Sequence, residues 1–355
     1  MKTVGKYLKW GGICLLGVIV LFFTVRAVGQ SVNRRVPDGG INESMYVEIN
    51  DVKQWISIYG QDKDNPVLLY LHGGPGSSTS SVDYAVLRRF SDVYTVVTWD
   101  QRNCGKSYSE EQNAITLSHD LMMSDAVELT KYLLDYLGKD KITLFGHSWG
   151  TLYGANLALE YPEYYDAFIG AAQVVDMYEN EVEFIKAAKE WAADDPETLA
   201  ALDAVSYDTL TMDYFMWKNE IMEKYGYNSS ESELDYSMAA AVIFNPYYSL
   251  GDWIDYLRWG NAMMAEDSVY AAFDLGGELQ SFSLHAGDEY AVPYYNINCD
   301  KDYQANHIMA QEYFDSITAQ AKGMYMMEDA GHMSPMYRSQ ELSEIIHEIA
   351  EEIGK

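Results

Sequence analysis

Residues 141–161 read KITLFGHSWGTLYGANLALEY, and this stretch decides the fold. The apolar run that closes at Phe145 reads as a buried strand. The residues after Ser148 read as a helix that stops before Pro162. Between the two lies Gly146-His147-Ser148-Trp149-Gly150. A serine on so sharp a strand-to-helix turn is held in a strained conformation, with its hydroxyl exposed and a helix N-terminus beneath it. Glycines on either side leave room for neighbouring backbone. A chance G-x-S-x-G is common, but one with a strand before and a helix after is far rarer. Ser148 is therefore the candidate nucleophile.

The pattern continues on both sides. Upstream, 45–49 and 54–59 read as a strand hairpin, and 67–71 and 94–99 as strands buried on both faces. A helix is predicted over 118–137 and the next strand over 167–175. Strand and helix alternate, which implies an α/β fold with a mostly parallel central sheet and helices on both faces. From about Met177 the short buried strands stop, and the chain turns helical and rich in Tyr, Trp, Met and acidic residues. This segment is expected to be an inserted helical cap. Strand character returns over 292–297 and 322–327, before a C-terminal helix at 340–353. The expected organisation is an N-terminal anchor or signal at 1–30, a first core part at 31–176, the cap at 177–287 and a second core part at 288–355.

A serine hydroxyl needs a base near neutral pH. On this architecture the chain order is serine, acid, histidine. His332, in the turn-rich Gly331-His332-Met333-Ser334-Pro335 after the last strand, is the expected base. His347 lies inside the last helix, His307 near a helix start and His285 at the cap boundary. The acid should follow the strand at 292–297. Asp302 is favoured by spacing, with Asp300 as the fallback, while Asp329 better serves its own turn. Two backbone donors for an oxyanion are expected: the N–H of Trp149, and one from the loop His72-Gly73-Gly74-Pro75-Gly76, with Gly74 preferred over Gly73.

The chain has 355 residues and a net charge of −30, which argues against nucleic acid as a partner. The charge serves solubility in the plainest reading, and a field that attracts cationic substrates in the functional one. No zinc-type cysteine spacing and no His-Glu-x-x-His occurs, so neither a metal nor an organic cofactor is expected. Lys2, Lys6 and Lys9 precede an apolar run over 10–25 that Arg26 ends. That is the grammar of a secretory signal or signal anchor. An uncleaved anchor is the favoured reading, with the rest of the chain outside the cytoplasm; cleavage near Ala27-Val28-Gly29 would make it secreted. Residues 30–40 read as a polar linker.

These residues resemble the prolyl aminopeptidase family, also called proline iminopeptidases, within the α/β-hydrolases. The matching segments are 72–76 (HGGPG), 100–107 (DQRNCGKS), 146–150 (GHSWG), Asp302-Tyr303-Gln304 and Gly331-His332. The resemblance implies the α/β-hydrolase fold with a cap above the catalytic face. It implies release of an N-terminal residue, often proline, from small peptides, and it supports Ser148, Asp302 and His332 as a triad. Asn103, Cys299 and Ala305-Asn306 depart from the family pattern. Family members hold the substrate amine with cap glutamates, whose motifs find no match here. Glu179, Glu181, Glu183 and Glu220 are available, with Glu181 the chosen candidate. Solvated acidic helix faces explain each of them at least as well. An esterase or amidase acting on another small acyl compound is the alternative.

Overall fold

In the computed structural model the described residues are 2–208, 210–227, 236–263 and 269–354. The strands are β1 (Ile41–Ile49), β2 (Val52–Gly60), β3 (Val67–Leu71), β4 (Thr95–Asp100), β5 (Ile142–His147), β6 (Tyr165–Ala171), β7 (Glu289–Tyr290), β8 (Tyr294–Cys299), β9 (Thr318–Ala319) and β10 (Lys322–Met327). Eight of them form one sheet in the order β1-β2-β4-β3-β5-β6-β8-β10, and β7 and β9 pair separately. β2 runs antiparallel to β1 and β4, and all other pairings in the large sheet are parallel.

The strands β3, β4, β5 and β8 are buried along their whole length because both of their faces are covered. In β3, Val67, Leu69 and Leu71 join one core cluster, while Leu68 and Tyr70 join another. This period-two division assigns each face its own helices. α3 (His119–Leu137) and α4 (Trp149–Glu160) cover the first face, with Met122, Leu129, Leu133, Leu152 and Leu157 buried there. α2 (Asp83–Leu87) and α13 (Ser339–Glu352) cover the second through Leu87, Leu342 and Ile346. Local chemistry sets the ends of α3. The Ser118 side chain accepts from the Leu121 N–H, and Gly138 closes the helix at φ 64°.

Between β6 and β8 the chain leaves the sheet and forms α5 (Met177–Trp191), α6 (Pro196–Ala204), α7 (Met212–Lys224), α8 (Tyr236–Ile243), α9 (Leu250–Met263) and α10 (Val269–Leu275). α11 (His307–Ser316) and α12 (Ser334–Tyr337) follow β8 and β10.

At the N-terminus, α1 spans Lys2–Asn33. It is long and apolar enough to cross a membrane, and its apolar side chains are exposed, with Leu15, Leu16 and Leu21 all above 60%. The helix runs on into the expected linker, and the reason is specific. Arg26, Gln30, Asn33 and Arg34 donate to the backbone carbonyls of Phe244, Asn245, Pro246 and Tyr248. The residues that look like a polar linker are therefore a stem that satisfies the turn at 244–248. Arg26 is buried, and its guanidinium lies 2.6 Å from the Tyr248 carbonyl. Arg26→Ala removes a charge-assisted hydrogen bond to that carbonyl, which keeps its bond from Gln30, and is expected to cost about 1.5–3 kcal/mol. Thermal unfolding of the full chain in detergent checks this.

Candidate active site

β5 delivers the chain into Ser148, which sits at φ 56° and ψ −127° at the N-cap of α4. Few non-glycine residues occupy this region, and it persists only where the surroundings hold it. Here the Ser148 N–H bonds the Ala171 carbonyl at 3.0 Å, and the Ser148 carbonyl accepts from both N–H and O–H of Thr151. The flanking glycines are sterically required. A Cβ on Gly146 would run into the Gly150 carbonyl, and one on Gly150 into the Leu71 carbonyl.

Three loops at the C-terminal ends of the strands converge on this elbow. After β8, Asp302 is buried, and its Oδ1 accepts from the N–H groups of Gln304 and Ala305 at 2.8 and 2.9 Å. Its Oδ2 lies 2.8 Å from His332 Nδ1. His332 comes from the turn after β10, and its Nε2 lies 2.9 Å from Ser148 Oγ. The structure thus brings Ser148, His332 and Asp302 into one hydrogen-bonded line. Asp300 is turned elsewhere: its Oδ1 accepts from the Ala330 N–H and ties the two loops together. Asp329 pairs with Lys301, and His347 with Asp92 on the surface.

Two other histidines lie close by. Burial lowers the pKa of His147 to about 4, and it donates through Nε2 to the His332 carbonyl at 3.2 Å. Burial likewise lowers His72 to about 4. Its Nε2 accepts from the Gln101 N–H while Nδ1 donates to the Gly73 carbonyl, so one neutral tautomer is fixed. Both serve as neutral braces, and only His332 is aimed at Ser148.

Trp149 is the first residue of α4, so its N–H has no acceptor inside the helix. In the facing loop a Cβ on Gly73 would lie 3.3 Å from Ser148 Cβ and 3.7 Å from Ser148 Oγ. Gly73 thus abuts the serine, and the peptide that follows it carries the Gly74 N–H. Gly74 itself is at φ 129°, where a side chain would be strained. Below the loop the buried Asp100 accepts from Ser78 and Ser80, and the Ser80 hydroxyl meets the Tyr248 hydroxyl. Desolvation raises the Asp100 pKa to about 6.

The chosen amine-binding glutamate is differently employed. Glu181 is buried on α5, and its carboxylate lies 2.7 and 2.8 Å from the Lys218 ammonium on α7. It also accepts from the Tyr214 hydroxyl and from Asn180 Nδ2. A carboxylate already neutralised by an internal lysine has little left to offer a substrate ammonium, which corrects the expectation for Glu181. Burial pulls the Lys218 pKa down, and the Glu181 charge opposes that. Asn180 also bonds the Gln304 carbonyl and the Asn306 N–H, so the cluster is tied to the Asp302 loop. Glu183 pairs with Lys186, and Glu179 and Glu220 are exposed. Lys218→Met leaves the Glu181 charge buried and unpaired and is expected to cost about 3–5 kcal/mol. Adding Glu181→Gln should recover much of that loss, as a urea-denaturation cycle of the four proteins would read. Sequence reasoning missed the pair; the only local hint was Tyr214 and Lys218 at helical i, i+4 spacing.

Comparison with known proteins bears on the fold. A model of the alpha/beta hydrolase fold family matches residues 66–214. The crystal structure of a proline iminopeptidase from Mycobacterium smegmatis superposes with a TM-score of 0.58 at 21% identity, over 88% of this chain and 98% of that one. The chain has the α/β-hydrolase fold. Similarity in sequence to aminopeptidases of the prolyl type extends over part of the core. A probable aminopeptidase of Bacillus subtilis (strain 168), YbaC, is 34% identical over 137 residues, 38% of this chain and 42% of the relative. A proline iminopeptidase of Neisseria gonorrhoeae is 30% identical over 123 residues, 34% of this chain and 36% of that one. The chain therefore matches less than half the length of these curated relatives.

The three cysteines are free thiols. Cys104 is buried, and its Sγ lies 2.9 Å from the Tyr270 hydroxyl.

Proposed function

We propose that this hydrolase is a serine hydrolase acting through an acyl-enzyme, and an aminopeptidase that releases an N-terminal, proline-type residue from small peptides. The observation that carries the chemistry is the line Ser148 Oγ–His332 Nε2 at 2.9 Å and His332 Nδ1–Asp302 Oδ2 at 2.8 Å. Ser148 Oγ gives its proton to His332 Nε2 and attacks the scissile carbonyl carbon. The Trp149 and Gly74 amides stabilise the oxyanion that forms. The intermediate collapses, the C–N bond breaks, and the leaving amine takes the proton from Nε2. Water then repeats the sequence on the ester and frees the acid. Asp302 holds the proton on Nδ1 throughout and stabilises the imidazolium. These steps use only the named side chains, two amides and water.

Peptide specificity rests on the aminopeptidase and iminopeptidase relatives. A specific observation favours a second reading, an esterase or amidase on another small acyl substrate: Lys218 already neutralises Glu181. A panel of aminoacyl-naphthylamides beside short p-nitrophenyl esters separates the two. The aminopeptidase reading expects prolyl-naphthylamide turnover to vanish when the substrate nitrogen is acetylated. Equal turnover of free and acetylated substrates would replace it with the second reading.

We further propose that residues 177–287 act as a cap over the site. α1 is taken as an uncleaved membrane anchor that leaves the hydrolase outside the cytoplasm. The exposure of its apolar run and the grip of its stem on the 244–248 turn support this reading.

A further inference from the structure

Helix α9 is apolar on two sides, and among the described residues only one of them is used. Trp253 and Tyr256 face inward onto Tyr248, with ring centroids 5.3 and 6.4 Å away. Leu250, Ile254 and Leu257 are 40%, 53% and 66% exposed. At 3.6 residues per turn these three fall within a sector of about 60°. Ile243, the last residue of α8, is exposed as well. An apolar stripe on a chain of net charge −30 is not explained by solubility.

The position of the stripe identifies what covers it. The turn between α8 and α9 is the segment that α1 grips through Arg26, Gln30, Asn33 and Arg34. The apolar run of α1 ends at Val25, one residue before the first of these contacts. A helix that crosses a bilayer along that run brings the α8–α9 turn to the bilayer edge, with Ile243 and Leu250 on either side of the turn.

We propose that the outer face of α9, together with Ile243, seats in the interfacial layer of the same bilayer that α1 crosses. The inserted helices are then held against the membrane. This rests on the reading of α1 as an anchor. The contact is apolar, because so acidic a surface gains nothing from anionic headgroups. It should therefore form on uncharged phosphatidylcholine and be indifferent to salt.

The full chain in phosphatidylcholine nanodiscs tests this with an environment-sensitive nitrobenzoxadiazole label and spin-labelled lipid as quencher. Cys14, exposed on α1, reports the anchor, since Cys104 and Cys299 are buried. Ile254→Cys, or Leu257→Cys if the first folds poorly, reports α9 in a Cys14→Ser background. Both labels are expected to shift to the blue and to lose most of their emission to spin-labelled lipid, equally at low and high salt. A quenched Cys14 label beside an unquenched residue-254 label overturns the α9 contact and leaves the anchor standing. This holds whether the second label sits in water or is shielded by a second copy of the chain. Two unquenched labels overturn the anchor reading and the contact with it.

Discussion

Ser148→Ala is expected to lower kcat by about 10⁶-fold, with the fold intact and KM little changed. The hydroxyl lies on a turn held by backbone bonds, from Ser148 N–H to Ala171 and from Thr151 to the Ser148 carbonyl. Alanine keeps every one of those bonds and removes only the attacking oxygen. His332 then has no proton to accept, and the oxyanion donors have no intermediate to hold. What survives is the residual catalysis of binding and oxyanion stabilisation over water. Steady-state kinetics on any turned-over ester or naphthylamide reads the loss. Circular dichroism shows whether the elbow persists.

The second large effect is Asp302→Asn, expected to lower kcat by about 10⁴-fold. The direction follows from the partners of the carboxylate. Oδ1 accepts from two backbone N–H groups, Gln304 and Ala305, and Oδ2 faces His332 Nδ1. An asparagine there keeps its oxygen on the two N–H groups, because an amide NH₂ cannot accept from them. Its NH₂ is then turned to Nδ1, which must accept and therefore loses its proton. The remaining imidazole proton moves to Nε2, the atom that has to take one from Ser148. The tautomer is wrong and the geometry is unchanged. The loss should fall on kcat, and alkaline pH should restore part of it as the serine ionises without help. A loss confined to KM would contradict this account of Asp302.

Much of this site could be read from the chain, and particular residues show why. The elbow was legible because its constraints are local: buried strand, two glycines, helix, all between Ile142 and Glu160. His332 followed from chain order and from the turn residues around it. Asp302 and Asp300 were separable only by spacing. The structure adds that Asp300 is occupied by the Ala330 N–H, a contact 30 residues away. The Glu181–Lys218 pair was not legible. It joins two helices in a segment without strand periodicity, and a carboxylate on a helix looks the same whether it faces water or a buried ammonium. The stem of α1 misled for a similar reason. Gln30, Asn33 and Arg34 are polar, as linker residues are, but their partners are backbone carbonyls more than 200 positions away. Residue type along a sequence reports the tendency of a side chain to meet polar atoms. It does not say whether those atoms belong to water or to a distant turn.

The central claim is that His332 activates Ser148 as the nucleophile. Intact-mass analysis after brief treatment with a fluorophosphonate, followed by peptide mapping, tests it most directly. One adduct per chain, on the peptide carrying Ser148, is the predicted result, with labelling abolished in Ser148→Ala and strongly slowed in His332→Ala. No adduct on the folded protein, or an adduct on another residue that persists in Ser148→Ala, would contradict it.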